Sequence, residues 1–219
     1  MNRNDFQKFA LSSKISSSNL DYYTRRVGLT QHIIEDANHG VMIDIFSKLI
    51  DDRVIFICTE LNSDVCNIIK AQLLYLEQLD NKKDIKLYLD SPGGSVYSGL
   101  GLLDTIEYIK PDIITINTGL AASMSAIILC SGTKGKRKAL KRSRTMIHQP
   151  LGYSGFSQAS DIEIDAKEIN SLKRELHQII SDRTGQNYEK VEKDSDRDYW
   201  MNAEEALKYG MIDEIIKTK

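Results

Sequence analysis

Three groups in this 219-residue chain have the types and order that suit nucleophilic catalysis: Ser123, His148, and the acids of Asp194-Ser195-Asp196-Arg197-Asp198. Ser123 stands in Gly119-Leu120-Ala121-Ala122-Ser123-Met124-Ser125, where a β-rich run meets an apolar stretch. A serine at a strand-to-helix junction can expose its hydroxyl, and the helix N–H groups beside it suit a developing oxyanion. The segment is not the Gly-x-Ser-x-Gly elbow of α/β-hydrolases, and serine is also a common N-cap. His148 lies in Thr145-Met146-Ile147-His148-Gln149-Pro150, a strand-like run whose proline keeps Gln149 extended. A lone histidine beside apolar residues is more often a satisfied core residue than a base. Spacing leaves open which of the three acids would hold an imidazole, and such a run is ordinarily a solvated turn.

A fourth group is Leu89-Asp90-Ser91-Pro92-Gly93-Gly94-Ser95. Paired glycines let backbone N–H groups approach a ligand, and a helix start behind them favours negative charge. The same residues also serve as a plain turn. Neither Gly-x-Gly-x-x-Gly nor a P-loop ending is present, so nucleotide fingerprints fail.

Positioning these groups requires alternating strands and helices. Val41 to Ile50 has helical apolar spacing, and Arg53 to Cys58 is a short β-rich run. Ser63 is the predicted N-cap of a helix from Asp64 to about Leu79. A strand over 85–89 leads into the Gly-Gly turn and a helix to about Ile109; a strand over 112–117 precedes a helix over 122–130. The pattern predicts an α/β layer fold with largely parallel strands. Further on, Ser160-Asp161-Ile162-Glu163 has capping-box form and opens a long helix with apolar residues at 162, 169, 172, 176, 179 and 180. Gly185 is expected to end it, and Asn202 with Glu205 to start a last short helix.

Composition excludes several classes. The net charge of −2 gives no field for nucleic acid, and the 27% of charged residues are mixed in sign along the chain. Cys58, Cys66 and Cys130 form neither a CxxC nor an even set, which fits a reducing compartment. His32, His39 and His177 join no metal-binding pattern, and no metal or cofactor is expected. No apolar run approaches the roughly 20 residues of a membrane span. Residues 1–28 are polar, Ser-rich and without a secretory apolar core; they read as a flexible extension or removable propeptide before a single domain over 29–219.

Taken in order, Leu-Asp-Ser-Pro-Gly-Gly-Ser-Val, Gly-Leu-Ala-Ala-Ser-Met, Gly-Lys-Arg-x-Ala-Leu at 135–140, Met-Ile-His-Gln-Pro-Leu-Gly and Asp-Ser-Asp-Arg-Asp-Tyr-Trp closely resemble the ClpP family of peptidases. The match runs from about Ile33 to Ile216, with roughly one extra residue after Pro150. The resemblance implies a ClpP/crotonase-like fold of ββα units with a protruding handle helix from Asp161. It implies Ser123 as nucleophile, His148 as base and Asp198 as the acid that orients it. The N–H groups of Gly94 and Met124 would form the oxyanion hole. Extended substrate would pair around Gly94 to Val96 and near Leu151. As implied partners, two stacked seven-membered rings would enclose the sites, Asp196 and Arg197 would join the rings, and a AAA+ unfoldase would use ATP to feed in unfolded polypeptide. Neither nucleic acid nor membrane is implied, and the cytoplasm is the expected location. Lys86 and Lys138 stand where relatives often carry aromatic residues in the apical unfoldase pocket, whereas Tyr88, Ile116 and Leu140 fit it; the two ammoniums are expected to reach solvent.

Two rivals differ in class. A crotonase-type enzyme acting on coenzyme A thioesters would use glutamates rather than a Ser-His-Asp order. A catalytically silent ring subunit would usually have lost triad residues.

Overall fold

A computed structural model describes residues 33–36, 41–152 and 158–217. The expected extension at 1–28, His32, His39 and most of the segment with the extra residue (153–157) lie outside them. Strands β1 (Ile33–Asp36) and β2 (Val41–Asp44) pair antiparallel, and helix α1 spans Ile45–Asp51. The remaining order is β3 (Val54–Ile57), α2 (Ser63–Leu79), β4 (Ile85–Ser91), α3 (Val96–Tyr108), β5 (Ile113–Ala122) and α4 (Met124–Cys130). There follow β6 (Arg137–Leu140), β7 (Arg144–Ile147), α5 (Ala159–Thr184), α6 (Tyr188–Asp194), β8 (Tyr199–Asn202), α7 (Ala203–Tyr209) and β9 (Glu214–Ile216).

The main sheet runs β3-β4-β5-β6-β9, all parallel, as the alternation of elements predicts. β5 serves two neighbours: Thr115 to Asn117 pair with β6, and Leu120 to Ala122 pair with β7. β8 adds antiparallel to β7. Ile85, Leu87 and Leu89 face the core from β4, while Lys86, Tyr88 and Asp90 alternate outward, the period of two that a pleated strand imposes. α2 packs on α3 and α3 on α4. α4 is buried over all seven residues and sits at the centre of the core. Each buried side chain such as Ile68 or Leu87 contributes about 1.5–3 kcal/mol through removal of apolar surface from water.

Several boundaries differ from the sequence expectation. Val41 to Asp44 form a strand because backbone pairing with β1 outweighs local helical periodicity. Asn62, not Ser63, caps α2, its Oδ1 accepting from Val65 N at 2.9 Å. β5 continues to Ala122 because β7 supplies it with partners, so α4 starts after Ser123. α5 begins at Ala159 with Gln158 as its uncapped N-cap; Ser160 is already inside the helix and its capping box does not form. Gly185 ends α5, and the Asn202–Glu205 capping box forms as expected.

Phe56, Tyr88, Ile116, Lys138 and Glu214 line up across five strands on the outer face of the sheet. Lys138 Nζ lies 2.7 Å from Glu214 Oε2, and Lys86 is exposed, so neither ammonium is buried unpaired.

A buried ion pair fastens β9's approach to the rest. Arg137, 4% exposed, meets Asp213 through Nε at 2.8 Å and Nη2 at 2.5 Å, and its Nη1 donates to the carbonyls of Cys130 and Arg183. Burial alone would raise the Asp213 carboxyl, but Arg137 and the Gly135 N–H hold it below its ordinary value. Asp213→Asn leaves the guanidinium buried without its counter-charge, and is expected to cost about 3–5 kcal/mol in denaturant titration. The folded pKa is depressed, so the pair's contribution is complete above the unfolded value of about 3.9 and is lost as pH falls through the folded one. The stability gap between wild type and variant is therefore expected to narrow on acidification below about pH 4. A gap of constant size down to acid unfolding would mean that Asp213 is not the responsible group.

Candidate active site

The nucleophile candidate sits where β5 becomes α4. Ser123 has φ 56° and ψ −128°, a conformation that L-residues avoid. Holding it costs about 1–3 kcal/mol, met by the surrounding structure. Ser123 N donates to Met146 O at 2.8 Å, which prolongs the β5–β7 pairing by one residue. Its side chain makes no capping bond; instead Oγ lies 2.8 Å from His148 Nε2.

Register brings the histidine and the acid together. β7 and β8 pair Ile147 with Tyr199, and the next opposed positions in the same register are His148 and Asp198. His148 Nδ1 is 3.2 Å from Asp198 Oδ1. The three acids left open by spacing thus have different surroundings. Asp194 accepts from Lys190 and from Tyr209 Oη; Asp196 receives Gln149 Nε2 on its carbonyl at 2.8 Å; Asp198 reaches His148. Gln149 N also donates to Ser195 O at 2.6 Å, so the residue after the histidine is tied to the loop before the acid. Nothing in the sequence marks Gln149 for that work beyond its place next to His148.

The Gly-Gly turn packs against the serine. Gly93 has φ +92°, and a Cβ there would lie 2.6 Å from Ala122 O, 2.7 Å from Ser123 Cβ and 2.9 Å from Met124 N. Gly94 makes an isolated parallel bridge with Leu61 through Leu61 N to Gly93 O and Ser95 N to Leu61 O, both 2.7 Å. In a parallel bridge of that pattern, the N–H and C=O of Gly94 itself face the opposite side. Met124 is the first residue of α4, and its N–H has no carbonyl one turn back to bond. Among the described residues the N–H groups of Gly94 and Met124 thus have no backbone acceptor; Met124 follows the serine, and Gly94 follows the glycine packed on it. The sequence marked the glycine pair as a backbone approach, and the resemblance gave a role to Gly94 alone of the two.

Val96 opens α3 half-buried, and Leu151 is 85% exposed beyond His148. Arg197 is exposed and has no ion-pair partner among the described residues. His177 is buried in α5, edge-on to the Tyr188 ring; burial, then the Lys173 charge, holds its pKa below the ordinary value, so it stays neutral in the fold. Among the described residues, no group of three His, Cys, Asp or Glu side chains is placed to hold a metal, and no helix is long and apolar enough to cross a membrane.

A family model described as Clp protease matches residues 37–219. The chain belongs to the Clp protease family. It is a ClpP-type peptidase, a serine protease, and the mixed α/β fold is that of the family. Its relatives include the ATP-dependent Clp protease proteolytic subunit of Porphyromonas gingivalis, 52% identical over 218 residues and covering 98% of both chains. The protein of the same description from Bacteroides fragilis (strain ATCC 25285) is 53% identical over 192 residues, 87% of this chain and 92% of that one. A proteolytic subunit 2 from Prochlorococcus marinus is 55% identical over 174 residues, 80% and 86% of the two chains. The family match sets aside the crotonase alternative. The P. gingivalis alignment also extends into the N-terminal segment, for which sequence reasoning had no counterpart.

Proposed function

We propose that Ser123 Oγ attacks the scissile carbonyl of an extended peptide while His148 Nε2 takes its proton. Asp198 keeps the other imidazole nitrogen protonated and stabilises the imidazolium. The tetrahedral oxyanion is received by the N–H groups of Gly94 and Met124. His148 then returns the proton to the leaving amine, and an acyl-enzyme remains on Ser123. Water, activated by the same imidazole, releases the acid product and restores the hydroxyl. The peptide lies antiparallel along Gly94 to Val96 on one side and Leu151 on the other. The single observation that carries this reading is the continuous contact from Ser123 Oγ through His148 to Asp198, at 2.8 and 3.2 Å. It also argues against a silent ring subunit with a misaligned triad. Hydrolysis of a short fluorogenic peptide should fall by several orders of magnitude in Ser123→Ala; equal rates in both proteins would overturn the assignment.

The working form in this reading is a cytoplasmic tetradecamer of two stacked heptameric rings, serving protein quality control. A AAA+ unfoldase, which uses the ATP, threads unfolded polypeptide into the chamber; the peptidase itself needs no metal or cofactor. The first turns of α5 are exposed on every side and present Ile162 and Ile164 to solvent, which supports a handle that meets the opposite ring. Residues 1–28 act as an extension or propeptide to the single domain over 29–219. Asp196 and Arg197 form charge pairs between rings, next to the acid of the triad. Arg197→Ala is expected to give single rings or weak activity by analytical ultracentrifugation and peptide assay; intact tetradecamers with full activity would remove this role.

A further inference from the structure

We propose that Glu168 is a specificity-determining residue of the substrate cleft: held by Tyr97, its carboxylate selects peptides with a basic side chain beside the scissile bond. This deepens the catalytic reading above and rests on it. In that reading a peptide lies between Gly94–Val96 on one side and Leu151, followed by Gly152, on the other. α5 touches both through consecutive residues. Tyr97, which follows Val96, donates from Oη to Glu168 Oε1 at 3.0 Å. On the other side, Gly152 lies so close to Ile169 that an added Cβ would fall 2.1 Å from Ile169 Cδ1. Residues 168 and 169 thus adjoin the residue after Val96 and the residue after Leu151, which sets Glu168 beside the space assigned to the peptide.

The charge there is uncompensated. Glu168 is exposed and has no ion-pair partner among the described residues. Among the described residues its hydrogen bond is to a neutral phenol, at Oε1, which orients the carboxylate without cancelling its charge. Asp165 adds a second negative charge beside Tyr97, and the hydrogen bond to Glu168 pushes the Tyr97 hydroxyl up, so the phenol remains a donor. Lys167 is one residue away, about 100° round the helix, and does not share that face. A lysine or arginine of a bound peptide supplies both the missing charge and the missing donors. A carboxylate in the peptide meets repulsion from the same charge.

The test uses the full-length assembled protein and three matched fluorogenic peptides, with Leu, Lys or Glu placed in turn at each position flanking the scissile bond. At one such position wild type should favour Lys over Leu by about 2–5-fold in kcat/KM, the range of a partly exposed ion pair, and the preference should shrink with salt. Glu168→Gln, which can still accept from Tyr97, should bring that ratio towards one. Glu168→Lys should reverse it in favour of the Glu peptide. Ratios that stay put in both variants, or all three peptides falling by one common factor, would overturn the inference. Cleavage that survives Ser123→Ala would overturn the catalytic reading as well, so the two failures are separable.

Discussion

Asp198→Asn is expected to lower kcat by about 10^2–10^4-fold while KM changes little. The reason lies in the tautomer of His148. With a carboxylate 3.2 Å from Nδ1, that nitrogen carries the proton and Nε2 has a lone pair aimed at Ser123 Oγ, 2.8 Å away. An asparagine turns an amide N–H towards Nδ1 instead, which places the imidazole proton on Nε2 and removes the base. Asp198 is 58% exposed, so water partly substitutes for it, and the loss falls across a range rather than at its upper end. Stopped-flow or steady-state hydrolysis of a short peptide, with circular dichroism as a control for folding, measures the effect. A loss under about tenfold would mean that some other group orients His148.

Gly93→Ala is expected to reduce kcat by about 10^2-fold or more, because a displacement near 1 Å at the reacting atoms is enough for that. The added methyl would meet Ala122 O, Ser123 Cβ and Met124 N at 2.6–2.9 Å, all parts of the backbone or bonded directly to it. No side chain can swing aside, so the serine and the first N–H of α4 must move. Gly135→Ala separates this from backbone strain. Gly135 also has a positive φ, +87°, yet a Cβ there meets nothing within 4 Å. Both variants carry about 1–2 kcal/mol of left-handed strain, but only Gly93→Ala should damage turnover. Equal kcat values in the two would show that the contact with Ser123 has no catalytic consequence.

Much of the scaffold was legible because its signals are local. The apolar positions of α2, the β-branched run of β3, Gly185 and the Asn202–Glu205 pair state their roles within a few residues. What failed depends on distant chain. Val41 to Asp44 carry a helical pattern yet pair with β1, and Leu120 to Ala122 stay extended because β7 lies beside them. The Ser160 capping box was overruled by a helix that begins at Ala159. At the site, residue types and order indicated a serine, a histidine and some acid. The physical choice among Asp194, Asp196 and Asp198 required the β7–β8 register, which no local pattern encodes. The resemblance to ClpP implied Asp198 by order, and the register sets that residue opposite His148. The strained φ of Ser123 and the bond from Gln149 to Ser195 were invisible for the same reason: each depends on a partner strand or loop remote in sequence.

In the proposed mechanism Ser123 is the nucleophile and His148 activates it. The most direct measurement is covalent reaction of the purified full-length protein with a serine-directed fluorophosphonate, followed by peptide mapping of the adduct. One adduct per subunit is expected, on Ser123, forming at least about 10^2-fold more slowly in His148→Ala. An adduct on another residue, or labelling of Ser123 at the same rate without His148, would contradict it.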